Sequence, residues 1–171
     1  MPTDEYTDLV LSAYSGEIVG EAVFGGIAML LEDPARRATL EVLRLLEAQT
    51  EELLRPLAER LGMTEERVVK SRRDGWSYAL KGADEDARWA QVVGGLEQGT
   101  TDIIARFERM RDLAPGADVA VANAVVAHEV ALFEFAQREN AGHVAPLEPV
   151  LVQLQGRYRA EAQASIASLS H

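Results

Sequence analysis

The sequence predicts an all-α protein: an antiparallel four-helix bundle with a long crossover between the second and third long helices and an extra C-terminal helix. Apolar residues recur at helical spacing along almost the whole chain of 171 residues, which favours helices over strands. Four segments approach roughly 25 to 30 residues, or about 40 Å at 1.5 Å per residue. Short joints link the first helix to the second and the third to the fourth, which favours two hairpins. The length fits one domain over residues 1–171.

The first hairpin consists of long helices predicted over about 4–31 and 34–61. Asp33 suits the cap of the second helix, and Pro34 suits its first position. Such a tight joint makes the two helices antiparallel neighbours. Pro56 lies inside the second helix, where we expect a kink or a weak point.

The second hairpin consists of long helices predicted over about 84–113 and 117–140, and a last helix is predicted over about 147–169. The crossover between the two hairpins contains a short helix that begins after Thr64 and is expected to break at Gly75. This short helix carries four basic residues: Arg67, Lys70, Arg72 and Arg73. They form either a solvated face or a subunit contact.

Composition and charge exclude several classes of protein. Hydrophobic residues make up 47% and charged residues 26% of the chain, which is typical of a globular protein. No apolar run reaches the roughly 20 residues that span a bilayer, and the N-terminus lacks the pattern of a signal peptide. We therefore expect a cytoplasmic protein with no membrane partner. The net charge of −11 repels phosphate backbones, so no nucleic-acid partner is expected. The absence of cysteine excludes disulfides and thiolate metal sites.

The first helix carries two carboxylates on its apolar face. Glu17 and Glu21 are one turn apart and share that face with Tyr14 and Phe24. A buried carboxylate costs several kcal/mol unless it is protonated, paired or bound to a metal. Four glycines surround the pair: Gly16, Gly20, Gly25 and Gly26. Each weakens a helix by about 1 kcal/mol relative to alanine, so we expect them to allow close helix approach or to leave room for a ligand.

The second and third long helices add one candidate carboxylate each. Glu47 lies at the edge of the second apolar stripe, and Thr50 lies at its centre. Arg44 precedes Glu47 by one turn, so an ordinary ion pair is the alternative for Glu47. Glu97 is expected to be partly buried, and a position at the rim of the bundle is its alternative.

His128 lies in the middle of the most apolar helix and is followed by Glu129. It is either a hydrogen-bonded core residue or a metal ligand. Glu17 and Glu47 are 30 residues apart, and Glu97 and His128 are 31 apart. In two hairpins these separations predict that each pair lies at a similar height and that the pairs meet in the bundle centre.

Three segments resemble the ferritin-like superfamily: Ser15-Gly16-Glu17-Ile18-Val19-Gly20-Glu21, Leu46-Glu47-Ala48-Gln49-Thr50 and Ala127-His128-Glu129. The chain is similar to short bacterial ferritin-like proteins over most of its length. The di-iron pattern of that superfamily is a Glu on two helices and Glu-x-x-His on the other two. The resemblance implies six metal ligands: Glu17, Glu21, Glu47, Glu97, His128 and Glu129. Thr50 and Leu132 stand where the pattern has histidine, so we expect a carboxylate-rich site with one histidine or a site that has lost its metal.

The resemblance implies an iron- or manganese-dependent oxidase or oxygenase acting on a small organic molecule. Glu21 and His128 are then the candidate catalytic residues, and Tyr14, Phe24 and Thr50 are expected to line the pocket. Two alternatives stay open. One is a metal-free bundle that binds a small molecule or performs acid–base chemistry with buried Glu and His. The other is a non-enzymatic interaction protein, for which the segment 76–78 or the last helix would form a homodimer face.

Overall fold

The structure, a computed structural model, describes residues 3–81 and 84–170 and contains no strand within those ranges. Its helices are α1 (Asp4–Ala28), α2 (Pro34–Arg60), α3 (Glu65–Ala79), α4 (Glu85–Leu113), α5 (Val119–Asn140), α6 (Glu148–Gln153) and α7 (Gly156–Ala167), followed by a 3-10 turn at Ser168–Ser170. The all-α prediction is confirmed. Gly82 and Ala83, expected just before the third long helix, lie outside the described residues, as does His171.

Side-chain caps fix the starts of the first helices. Asp33 Oδ1 accepts hydrogen bonds from the backbone N–H groups of Ala35 and Arg36 at 2.7 and 3.2 Å. Thr64 accepts in the same way from Arg67 at the start of α3. The predicted caps at both positions are confirmed, because each oxygen satisfies a backbone donor that the first helical turn leaves unpaired.

Two expected features of the helices are wrong. Gly75 does not break the crossover helix, since α3 continues to Ala79. A Cβ at Gly75 would lie 2.6 Å from the backbone oxygen of Val19, so the glycine instead allows α3 to pack closely on α1. The last helix is not continuous: Leu154 is extended, and Gly156, with φ of +49°, begins α7.

The helices pack mainly as neighbours along the chain. α1 packs along α2 on one side and α3 on another, and α4 packs along α5. The two pairs meet through contacts of α1 with α4 and of α2 with α5. α6 and α7 lie against α2, and α6 also packs on α5. The C-terminal elements therefore cover the side where α2 and α5 meet.

The core consists of two hydrophobic clusters. The first, which we call the Phe135 cluster, includes Phe24, Leu43 and Leu132. The second, the Tyr6 cluster, includes Leu54 and Phe107. Each long helix contributes to both clusters, so the clusters follow one another along the bundle axis.

The helix α5 is long and apolar enough to cross a membrane by length and composition, with a mean hydropathy of 1.5. The expectation that the protein has no membrane partner stays a prediction. Half of the apolar window is buried inside the protein. The core helix of a soluble protein meets the same criteria, so the finding is weak evidence for a membrane span.

Candidate metal centre

A layer of buried polar residues separates the two hydrophobic clusters. On α5, for example, the Tyr6 cluster ends at Val125 and the Phe135 cluster resumes at Ala131. The buried polar residues that fall between the clusters are Glu17, Glu47, Thr50, Glu51, Thr100, His128 and Glu129. Burying so many polar groups in one layer is unfavourable unless each group has a hydrogen-bond or charge partner. A buried group without such a partner is therefore a candidate ligand-binding residue.

Glu17, Glu47 and His128 converge at the centre of this layer. Nε2 of His128 lies 3.5 Å from Oε2 of Glu17 and 3.6 Å from Oε1 of Glu47. One ligand atom of each residue lies within 4.8 Å of the other two. All three side chains are almost inaccessible to solvent. We call these three residues the carboxylate–histidine site.

Thr50 sets the orientation of the histidine ring. Its hydroxyl forms a hydrogen bond of 2.7 Å with Nδ1 of His128. Thr50, which occupies a histidine position of the Glu-x-x-His pattern, thus holds His128 in place. With Nδ1 engaged, Nε2 is the ring nitrogen directed toward the two carboxylates, as a supporting hydrogen bond to a metal-binding histidine requires.

Two atoms of the site have no hydrogen-bond partner. Among the described residues, Oε2 of Glu17 and Nε2 of His128 are the buried side-chain atoms that no hydrogen bond satisfies. Leaving a buried polar atom unpaired costs about 1–3 kcal/mol. Because the two atoms face each other across 3.5 Å, a single group placed between them would satisfy both.

The separations suit a bound cation better than a direct hydrogen bond. Direct N–H···O bonds fall at about 2.7–3.2 Å, which is shorter than the 3.5 and 3.6 Å observed. Two ligand atoms held at about 2.1 Å from one ion at a tetrahedral angle lie about 3.4 Å apart. The distances from Nε2 of His128 to the two carboxylates are therefore compatible with a shared small divalent cation.

Burial and like charge raise the pKa values of the acids. Burial raises the pKa of the Glu17 carboxyl well above its usual range; the charge of His128 opposes this, and those of Glu47 and Glu129 add to it. Burial likewise raises the pKa of Glu129 to about 7, against the opposing charge of His128. Burial alone would lower the pKa of His128, but the carboxylates of Glu17 and Glu47 outweigh it and raise that pKa to about 10. The layer therefore retains protons that a cation would displace.

Gly20 makes room for Glu47. A Cβ at Gly20 would lie only 2.5 Å from Cδ of Glu47, so no larger residue fits without moving the carboxylate. By contrast, a Cβ at Gly16 would meet nothing within 4 Å. Of the four glycines around Glu17, Gly20 is therefore the one that provides space for a candidate ligand, while Gly26 packs against Trp76 and Ala79.

Glu21, a predicted ligand and catalytic residue, lies outside the site. Its carboxylate is partly exposed and pairs with Arg44 at 3.2 Å and with Arg72 at 3.4 Å. Four residues of an α-helix turn through about 400°, so Glu21 points about 40° away from Glu17. The ion pair considered for Glu47 is absent from the described contacts, because Arg44 pairs with Glu21 and Glu41 instead.

Glu97, the predicted ligand from the third long helix, also lies elsewhere. Its Oε2 accepts a hydrogen bond of 2.5 Å from the amide of Asn140. Asn140 is at the end of α5, twelve residues and therefore about 18 Å along the helix from His128. The prediction failed because the joint between α4 and α5 sets a different register from the one that the residue separation implied.

The remaining predicted residues surround the carboxylate–histidine site. Glu129 is buried and close enough to feel the charges of His128 and Glu47, but it is not one of the three converging ligands. Tyr14 is buried and donates a hydrogen bond to Glu51, which also accepts from Arg55. Burial, together with that bond, raises the pKa of Tyr14 to about 12.

Phe24, expected to line a pocket, is packed in the Phe135 cluster. Glu51 and Thr100 are the two members of the polar layer that the sequence reasoning did not propose as site residues. The available sequence pattern for Glu51 was its spacing of one turn from Glu47, and for Thr100 its place between the apolar residues of α4.

Comparisons with known proteins identify no relative: no family model, no curated protein and no solved structure matches this chain.

Proposed function

We propose that this protein is a ferritin-like metalloprotein that binds one iron or manganese ion at the carboxylate–histidine site and acts as an oxidase or oxygenase on a small organic molecule. The bundle in this proposal consists of α1, α2, α4 and α5. The pairing of α1 with α2 and of α4 with α5, with α3 in the long crossover between them, supports it.

The observation that carries the proposal is the pair of unsatisfied atoms in the core. Glu17 Oε2 and His128 Nε2 are buried and lie 3.5 Å apart. Oε1 of Glu47 lies 3.6 Å from the same nitrogen. A second ion is not part of the proposal, because Glu21 and Glu97 are engaged elsewhere. Two carboxylates and one imidazole form a predominantly hard ligand set, which suits iron or manganese.

The residues of the chain define what such an ion would be able to do. Three protein ligands leave coordination positions open, and iron or manganese there would supply redox chemistry with oxygen. Thr50 holds the histidine ring, and the two hydrophobic clusters exclude bulk water from both sides of the layer. Glu129, with a pKa of about 7, can hold or release a proton beside the site at neutral pH.

Metal analysis of the purified chain tests the proposal. The protein is prepared without chelator or affinity tag, loaded anaerobically with Fe(II) or Mn(II), and analysed by mass spectrometry for metal per chain. We expect about one ion per chain for the wild type and almost none for Glu17→Ala. Glu21→Ala is the matched control, because it removes a carboxylate one turn away that pairs with arginines. A metal-free wild type after loading, or equal metal content in both variants, would contradict the proposal.

A metal-free acid–base function is the second candidate, and the raised pKa of Glu129 beside His128 favours it. Groups that titrate near neutral pH are suited to proton transfer. Exhaustive chelation separates the two candidates once an activity has been found: an activity that survives chelation belongs to the acid–base candidate, and one that returns only with Fe(II) or Mn(II) belongs to the metalloprotein.

A further inference from the structure

A groove connects the outside of the protein with the polar layer. It has a volume of about 820 Å³ and runs between α2, α5 and the turn that joins α6 to α7. Thr50 and His128 both line it. Because these two side chains are buried, with exposed fractions of 4% and 2%, they form its inner wall. The groove therefore reaches the hydrogen-bonded pair of Thr50 and His128.

Apolar atoms supply the larger part of the groove's surface, although apolar residues are five of its fourteen lining residues. The apolar lining residues are Leu46, Leu53, Ala120, Val121 and Ala124. The charged residues at its outer part neutralise each other, because Arg157 pairs with Glu52, which also accepts a hydrogen bond from the hydroxyl of Tyr158. The outer part of the groove therefore presents no unpaired charge to a bound molecule.

The C-terminal wall of the groove is fixed to α2 by one amide side chain. Nε2 of Gln49 donates to the backbone oxygen of Gln153 at 3.1 Å, and Oε1 of Gln49 accepts from the backbone N–H of Gln155 at 2.7 Å. Both bonds lie at the break between α6 and α7. The groove is therefore a defined space whose third wall is held in place, and not a gap between unrelated elements.

We propose that this groove binds an uncharged, largely apolar small molecule that carries a hydrogen-bond acceptor oxygen, such as a ketone, and that Thr50 donates to this oxygen. The choice of an acceptor rests on the proposed function. When Nε2 of His128 faces a cation, Nδ1 carries the ring hydrogen and donates it to Thr50. The hydroxyl hydrogen of Thr50 is then directed to another acceptor, and the groove lies next to it.

Fluorescence titration with the neutral naphthyl ketone Prodan tests the inference, with the anilinonaphthalene sulfonate anion as the charged comparison. The variants are Ala120→Leu and Ala124→Leu, which fill the groove, and the matched control is Ala127→Leu, on the same helix but outside the groove. We expect saturable Prodan binding to the wild type and to Ala127→Leu, weakened by at least about tenfold in the two groove variants. The anion is expected to bind at least about tenfold more weakly than Prodan to the wild type.

Equal Prodan affinity in all three variants, no binding to the wild type, or anion binding as tight as Prodan binding would overturn the inference. Ala120 is exposed, so Ala120→Leu keeps the test decisive if Ala124→Leu fails to fold. Metal content is measured on the same samples. Metal present with Prodan affinity unaffected by groove filling contradicts the groove alone, whereas groove-dependent Prodan binding to a protein that takes up no metal contradicts the proposed function alone.

Discussion

Asp118, at the joint between α4 and α5, and Glu17, in the polar layer, are both buried carboxylates, but their partners differ. Oδ2 of Asp118 accepts a hydrogen bond from Tyr6 at 3.1 Å, and Oδ1 accepts one from Arg60 at 2.6 Å. Oε2 of Glu17 has no donor and faces the unpaired Nε2 of His128. The first carboxylate joins three helices and is satisfied, whereas Oε2 of the second has no hydrogen-bond partner among the described residues.

Under the proposed function, this difference distinguishes a structural acid, Asp118, from a metal-binding acid, Glu17. A satisfied buried network stabilises a particular helix arrangement, and removing one partner leaves a cost of about 1–3 kcal/mol. An unsatisfied buried pair destabilises the folded protein by a similar amount. A bound ligand or cation that satisfies both atoms removes this destabilisation. If this division holds, metal binding depends on the unsatisfied pair and is independent of the partners of Asp118.

The largest expected effect is loss of metal from His128→Ala. This change removes the nitrogen ligand, so the affinity for Mn(II) should fall by more than the roughly 10–100-fold that loss of a supporting hydrogen bond costs. Isothermal titration calorimetry measures it. His143→Ala is the control, because His143 is exposed and bonded within its own turn. Equal affinities in the two variants would show that the metal binds elsewhere.

The pH should change metal binding and the stability of the metal-free protein in opposite directions. Between pH 4.5 and about 7, the folded state holds the Glu129 proton more tightly than the unfolded chain does. That stabilisation is fully present below pH 4.5 and is lost as the pH rises to about 7; the raised pKa of His128 continues the loss from 6.5 to about 10. Metal affinity should instead rise by about tenfold per pH unit for each proton displaced.

Thermal unfolding of the metal-free protein as a function of pH measures the stability half of this prediction. In Glu129→Gln, the decrease between pH 4.5 and about 7 should be reduced, because the titrating carboxyl is gone. If the melting temperature of the wild type rises between pH 4.5 and about 7, the polar layer does not hold its protons more tightly than the unfolded chain does.

Thr50→Val should weaken Mn(II) binding by about 10–100-fold. The substitution keeps the shape of the side chain but removes the hydroxyl that holds Nδ1 of His128. Thr50→Ser should restore most of the affinity, because it returns the hydroxyl. If valine and serine give the same affinity, the hydrogen bond to Thr50 does not position the ring.

Gly20→Ala should weaken Mn(II) binding by about tenfold, because its Cβ would displace the Glu47 carboxylate. Gly16→Ala is the matched control one turn away, where the new Cβ meets nothing within 4 Å. It should leave metal affinity unchanged and raise the free energy of unfolding by about 0.5–1 kcal/mol through helix propensity. Similar metal affinities for the two variants would remove the special role of Gly20.

Tyr6→Phe should leave metal binding unchanged. It removes one of the two donors to Asp118 while Arg60 keeps the other. The free energy of unfolding should fall by about 1 kcal/mol, as measured by denaturant titration. A loss of metal affinity in this variant would erase the distinction between the satisfied and unsatisfied acids.

The sequence predicted the long helices and their caps because these depend on local patterns. Glu17, Glu47 and His128 were reached by asking which polar residues interrupt apolar stripes, and the structure places them together. Glu21 and Glu97 show where this reasoning ends. An apolar stripe is about 100° wide or more, so it does not distinguish Glu21 from Glu17, which point about 40° apart. The joint between α4 and α5 defines the register that separates Glu97 from His128.

Other features depended on contacts between distant segments. The break between α6 and α7 is held by Gln49, about a hundred residues earlier in the chain. The hydrogen bond from Thr50 to His128 joins two helices that are far apart in sequence. Neither follows from local propensity, so the groove and the orientation of the histidine ring required the tertiary structure.

Anomalous X-ray diffraction from crystals grown with Mn(II) and without chelator locates the bound metal. We expect one strong peak among Oε2 of Glu17, Oε1 of Glu47 and Nε2 of His128, at about 2.0–2.2 Å from its ligand atoms. The absence of a peak there, or peaks only at exposed carboxylates, would contradict the proposed metal site.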